Sequence, residues 1–172
     1  MPSSNKRSPA FTVVFVLTLL LISAAVFVVF THFQRTLAEE RRTRSAQNLE
    51  TLRDVIRAYA AGHNGALPAR AAEIATRVKS PEDLLHPAWP NQPGYVYIPG
   101  AQPSDGDDSI LIYENVPESK RKLGFQVLLV NGKIEALSRD AFLDVLSSQE
   151  EFWKQKGRFW SPEELIPSNM GL

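Results

Sequence analysis

The sequence predicts an α+β fold: a long N-terminal transmembrane-plus-amphipathic helix packed on a small antiparallel sheet, with helical additions at the C-terminus. Three observations lead there. Residues 11–30 contain no charge, Pro or Gly. Leu49, Leu52, Ile56 and Tyr59 then recur at spacings of three, four and three, which makes one apolar stripe on a helix. Short β-branched and aromatic runs come only late in the chain and close on Asn131-Gly132, with an apolar run on either side.

The twenty residues 11–30, at about 1.5 Å of rise each, span about 30 Å, the thickness of a bilayer's hydrocarbon core. A cleaved secretory signal has a shorter apolar region and a small-x-small site after it. Here the run ends Val28-Val29-Phe30-Thr31-His32-Phe33, without such a site, and reads as a retained anchor. Lys6 and Arg7 precede it, while Arg35, Arg41, Arg42 and Arg44 follow, mixed with Glu39 and Glu40. Counted alone, the cations favour a cytoplasmic C-terminal domain, but the acidic neighbours leave the orientation open.

The chain has 172 residues, which beyond the span leaves enough for one modest domain. Lys plus Arg and Asp plus Glu both number 19, so no nucleic-acid partner is expected. The absence of cysteine excludes disulfides and thiolate metal sites.

From Phe33 to Ala61 there is neither Pro nor Gly, and strong helix formers dominate, so the helix continues beyond the membrane. Residues 39–45 carry no apolar stripe and read as a solvated neck. The striped part is the one that packs on a sheet, through Leu49, Leu52, Ile56 and Tyr59. Gly62, Gly65 and Pro68 end the helix. Ser80-Pro81-Glu82-Asp83 has the composition of a short capped turn, echoed by Ser161-Pro162-Glu163-Glu164 at capping-box spacing. The echo is read as two similar turns and not as a repeat.

Strands are expected over residues 95–100, 109–116, 125–130 and 133–136. Val127 to Val130 is apolar on both faces, as in a strand covered by a helix, and Asn131-Gly132 is the favoured type I′ hairpin dipeptide. Ser138 can cap a last helix that carries Phe142, Val145 and Phe152 on one side and stops at Gly157. The expected organisation is a basic tail over 1–10, a transmembrane helix over 11–30, a neck and amphipathic helix over 31–61, a sheet-containing head over 62–146, and a helix end with an aromatic, Pro-containing tail over 147–172.

Few residues suggest chemistry. Asp105, Asp107 and Asp108 share a loop and are candidate calcium ligands, though Asp-Gly is also ordinary turn chemistry and no EF-hand spacing is present. His32, His63 and His86 are too scattered for a ligand pair; His63 reads as turn decoration and His86 as a loop residue. The acidic pairs Glu39-Glu40, Glu150-Glu151 and Glu163-Glu164 fall on adjacent positions of expected helices, pointing about 100° apart. No nucleophile elbow occurs, so the chain is read as a non-enzyme without cofactor and without an evident small-molecule substrate. Trp153, Phe159 and Trp160 either fold back on the head or offer an aromatic anchor to a partner.

The order of these parts carries a resemblance. A membrane helix that runs into an amphipathic one and ends in Tyr59-Ala-Ala-Gly62-His63-Asn64-Gly65-Ala66-Leu67-Pro68 resembles the junction of type IV pilins and type II secretion pseudopilins. GYVYIPG, ILIYENV and VLLVNGKIEALSRDAFLDVL are similar to planctomycete-type pseudopilin-like proteins. The likeness covers roughly residues 11–146. It implies a pilin-like head, partners among membrane lipid, other pseudopilins and secretion-apparatus proteins, and an inner-membrane single-pass location with the head periplasmic. It also implies a candidate processing site between Ala10 and Phe11, behind the basic Lys6 and Arg7.

Two positions depart from the family. Prepilins carry Glu at the fifth mature position, where it neutralises a neighbour's amine inside the bilayer; here that position is Phe15. The family's Asp-Gly hairpin has a His ten residues earlier; here those places hold Asn131-Gly132 and Arg121, so the family's His and Asp roles are not carried over. The implied function is therefore twofold: a pseudopilin-like structural component of a type II secretion or pilus-like apparatus, or a static membrane-tethered binding module on the same scaffold.

Overall fold

A computed structural model describes residues 9–118, 121 and 124–167, the side chains of 9–13 and 103 excepted. The fold is α+β, as the sequence predicts: a long apolar N-terminal helix, a small antiparallel sheet and a C-terminal helix. Helix α1 runs Pro9–Gly62, and Ala10 and Phe11, the candidate processing site, fall in its first turn. The chain divides into two compact units between residues 40 and 41.

In the first unit, every described residue from Val14 to Phe30 is exposed. None of the most apolar stretch is buried against protein, which fits a single-pass membrane anchor. Thr18 and Thr31 turn their hydroxyls back onto the carbonyls of Val14 and Val28, so these two polar groups are satisfied within the helix.

The second unit begins with the rest of α1 and adds α2 (Ala71–Ala75), α3 (Arg139–Gln155) and seven short strands: β1 (Leu85–His86), β2 (Trp89–Pro93), β3 (Tyr95–Tyr97), β4 (Ile110–Glu114), β5 (Phe125–Leu129), β6 (Ile134–Leu137) and β7 (Glu163–Glu164). The first two strands pair with each other, and the other five form one antiparallel sheet in the order β6-β5-β4-β3-β7. Leu49, Leu52 and Ile56 of α1 join the sheet residues Tyr95, Tyr97, Ile112 and Leu128 in one core. Cross-strand partners share a face, so Tyr95 and Glu114, with Tyr97 and Ile112, lie together. On the opposite face Tyr113 and Phe125 meet Phe142 of α3, with Phe125 and Phe142 stacked at 4.0 Å. All of β5 is buried because a helix covers each face.

Several local expectations change. The helix ends on a Schellman-type closure in which Gly65 N–H reaches Ala60 O and Asn64, not Gly62, takes the left-handed conformation, which Asn tolerates. The Asn131-Gly132 turn is not type I′, because only Gly132 has positive φ. Gly132 N–H bonds Leu129 O and Leu129 N–H bonds Lys133 O, a three-residue loop with Gly at the bulge. Ser80 caps nothing through its side chain; residues 81–84 form a single 3-10 turn. The stretch after Ser161 is strand β7 and not a second capped turn: it adds to the edge of β3, with Val96 opposite Glu164. The Glu163-Glu164 pair thus lies on a strand, not a helix. Glu163 accepts from Ala71 N–H, and Glu164 from Asn115. Ser138 does cap α3, accepting from Ala141 N–H, and Gly157 follows that helix with positive φ.

Candidate functional site

The neck is where the sequence reading and the structure part most. Arg41 and Ser45, expected to be solvated, are both buried. They continue the apolar stripe backwards: positions 41, 45, 49, 52 and 56 share one side of α1 at helical spacing. Opposite them Tyr95 donates to Ser45, with its hydroxyl 3.3 Å from Oγ. Burial pushes the Tyr95 phenol far above its ordinary range, although the Ser45 contact works against that shift.

Arg41 Nη2 lies 3.0 Å from Glu114 Oε2 and 3.4 Å from Gly124 O. The same Glu114 oxygen accepts Gln126 N–H at 3.3 Å. The other oxygen, Oε1, is 3.1 Å from His86 Nε2, but the two are too poorly aligned for a hydrogen bond. His86 Nδ1 accepts Ala88 N–H at 3.0 Å, so in the neutral ring the proton sits on Nε2, facing the carboxylate. Trp89 covers the imidazole at 4.0 Å between centroids. Glu114 and His86 have fully buried side chains.

This Arg41–Glu114–His86 cluster joins three elements, α1, β4 and β1. A buried charge is tolerated only when paired. Glu114 therefore orients Arg41 and, with it, the neck of α1 on the sheet. His86 Nδ1 is held by a backbone amide and Nε2 faces the Glu114 carboxylate, so the imidazole acts here as a structural wedge. His86 is thus not the plain loop residue expected of it. One signal in the sequence marked the cluster: Glu114 is the single charge in the strand run ILIY-Glu-NV.

Of the packing residues, Leu49, Leu52 and Ile56 are buried as expected. Tyr59 is only half-buried; its ring stacks on His63 at 3.9 Å and lies under the Arg77 guanidinium. The candidate calcium residues do not converge. Asp105 accepts Gln102 N–H and pairs with Arg158, while Asp107 and Asp108 are exposed. Among the described residues no group of three carboxylate or imidazole side chains could hold a metal ion.

The three aromatic residues of the tail separate. Trp153 is buried, with Trp160 edge-on at 5.1 Å and Arg158 over its face at 4.0 Å. Phe159 is 85 % exposed. Gln149, on α3, has a role that sequence reading missed: its side-chain amide both accepts Ile110 N–H and donates to Ile110 O, completing the backbone of β4 at the bulge.

No family model, no curated protein and no solved structure matches this chain.

Proposed function

We propose that the chain is a single-pass inner-membrane protein with a periplasmic head that acts structurally, as a pseudopilin-like component of a type II secretion or pilus-like apparatus. The observation that carries this reading is the division of labour along α1. Its first stretch is apolar and exposed, while its distal stretch is buried on an antiparallel sheet. An element that is hydrophobic all round in one part and striped in the next suits an anchor that also serves as the spine of a folded head. Helix packing and head contacts with other pseudopilins or apparatus proteins would then do the work.

A static membrane-tethered binding module is favoured by one specific residue, Phe15, which stands at the fifth position counted from Phe11. A neutral side chain there cannot neutralise a neighbour's terminal amine within the bilayer.

The intact mass of the protein extracted from its native membrane tests the first reading. A mass that begins at Phe11, with a methylated amine, supports entry into a processed, pilin-like assembly. A mass that retains Lys6 and Arg7 overturns it and leaves the tether. Phe15→Glu sharpens the result: gained assembly supports the filament subunit, and an unchanged monomer in the membrane supports the module.

A further inference from the structure

Beside the buried cluster lies a cavity of about 330 Å³, lined among others by Arg41, Arg42, Gln126, Ser138 and Arg139. It is rich in donors and cations. Arg41 contributes a buried Nε that has no hydrogen-bond partner. Gln126 is more than nine-tenths buried, and among the described residues its side-chain amide takes no hydrogen bond. The 17-residue helix α3 begins at the same wall. Ser138 satisfies Ala141 N–H there, which leaves the amides of Arg139 and Asp140 without an intrahelical partner. The positive end of the helix dipole adds to the charge of Arg139. Two carboxylates bear on this balance: Glu114, already held by Arg41 and His86, and Asp140, in the first turn of α3.

A buried guanidinium nitrogen without a partner is costly to leave dry, and the Gln126 amide lines the cavity with no protein partner among the described residues. An oxyanion that accepts from them, from Arg139 and from the α3 amides would satisfy all of these donors at once. We propose that this cavity binds a phosphate group, carried either by a phospholipid headgroup or by a free phosphate species. The shared chemistry is the tetrahedral oxyanion in a cradle of donors.

The test uses the full chain in a maltoside detergent, which carries no phosphate. Inorganic phosphate is titrated calorimetrically into the wild type, Arg139→Gln and Gln126→Leu, with circular dichroism confirming that each is folded. The exposed Arg139 makes its variant the safer of the two for folding. In parallel, each protein is taken from nanodiscs of mixed phosphatidylcholine and phosphatidylglycerol, and its retained lipid is read by native mass spectrometry. Phosphate binding that weakens with salt and drops about tenfold or more in both variants supports the site, since a charge-assisted bond contributes about 1.5–3 kcal/mol. Phosphatidylglycerol retention lost in both variants also supports it and identifies the source as lipid; phosphate binding without such retention identifies a soluble ligand. The absence of both binding and retention in the wild type overturns the proposal. So does binding that Arg139→Gln leaves unchanged.

Discussion

Over residues 14–30, α1 presents Phe15, Leu21 and Val29 with more than half of each surface exposed. Over residues 41–56, the same helix is far more polar, yet Arg41, Ser45, Leu49, Leu52 and Ile56 are all buried. Hydrophobicity and burial run in opposite directions along one element. In the first stretch the apolar side chains face outwards in every direction, the pattern of a helix whose solvent is lipid. In the second, a single stripe faces the sheet, and even a charged residue on that stripe is carried into the interior because Glu114 receives it.

The sharpest way to break this comparison is to remove the receiving charge. Glu114→Gln leaves Arg41 buried without its counter-ion and should destabilise the head by about 3–5 kcal/mol, measured by denaturant unfolding in detergent. The double variant Arg41→Met, Glu114→Leu should recover most of that loss, because a well-packed apolar pair of similar size replaces a buried ion pair at little penalty. A double variant as unstable as the single one would mean that the cluster works through Glu114's backbone contacts and not through charge pairing.

Leucines in the two stretches give the next contrast. Leu52→Ala should lower head stability by about 2–5 kcal/mol, since Leu52 is completely buried. Leu20→Ala, at an exposed position of the apolar stretch, should change it by less than about 0.5 kcal/mol. Equal effects would show that head unfolding extends into the apolar stretch.

The smallest effect concerns pH. Burial holds the Tyr95 phenol well above its ordinary value of 10.0, and burial raises Tyr97 in the same way. Below that value both the folded and the unfolded state keep these phenols neutral. Above it the unfolded chain ionises while the folded head resists, so stability should decline as pH rises past 10.0. Tyr95→Phe should flatten that decline, which a melting series at alkaline pH would read. An unchanged slope would assign the loss to other groups.

Much of this fold was legible because its elements announce themselves locally. The uncharged run, the stripe at Leu49, Leu52 and Ile56, the Ser138 cap and the glycine stops depend on neighbours three or four residues away. The turn at Asn131-Gly132 was placed correctly and typed wrongly, since the dipeptide permits two conformations and strand register selects between them. The residues after Ser161 have turn-like composition, but β3 offers an open edge, and pairing there outweighs local preference.

The candidate site was the least legible part. Arg41 and Glu114 stand 73 positions apart, and nothing in either neighbourhood says that they meet. A charged residue on a helix is ordinarily solvated, so a sequence supplies no reason to bury it until the partner's position is known. By itself the sequence determined the apolar stretch, the helix that continues from it and the class of the fold, because these follow from periodicity and solvent preference. Only the tertiary structure decided that Arg41, His86 and Glu114 share one interior, that Gln149 completes β4, and that Trp153 is covered while Phe159 is not. Those outcomes rest on pairing across long stretches of chain, where the stability of a buried polar group depends wholly on which group it meets.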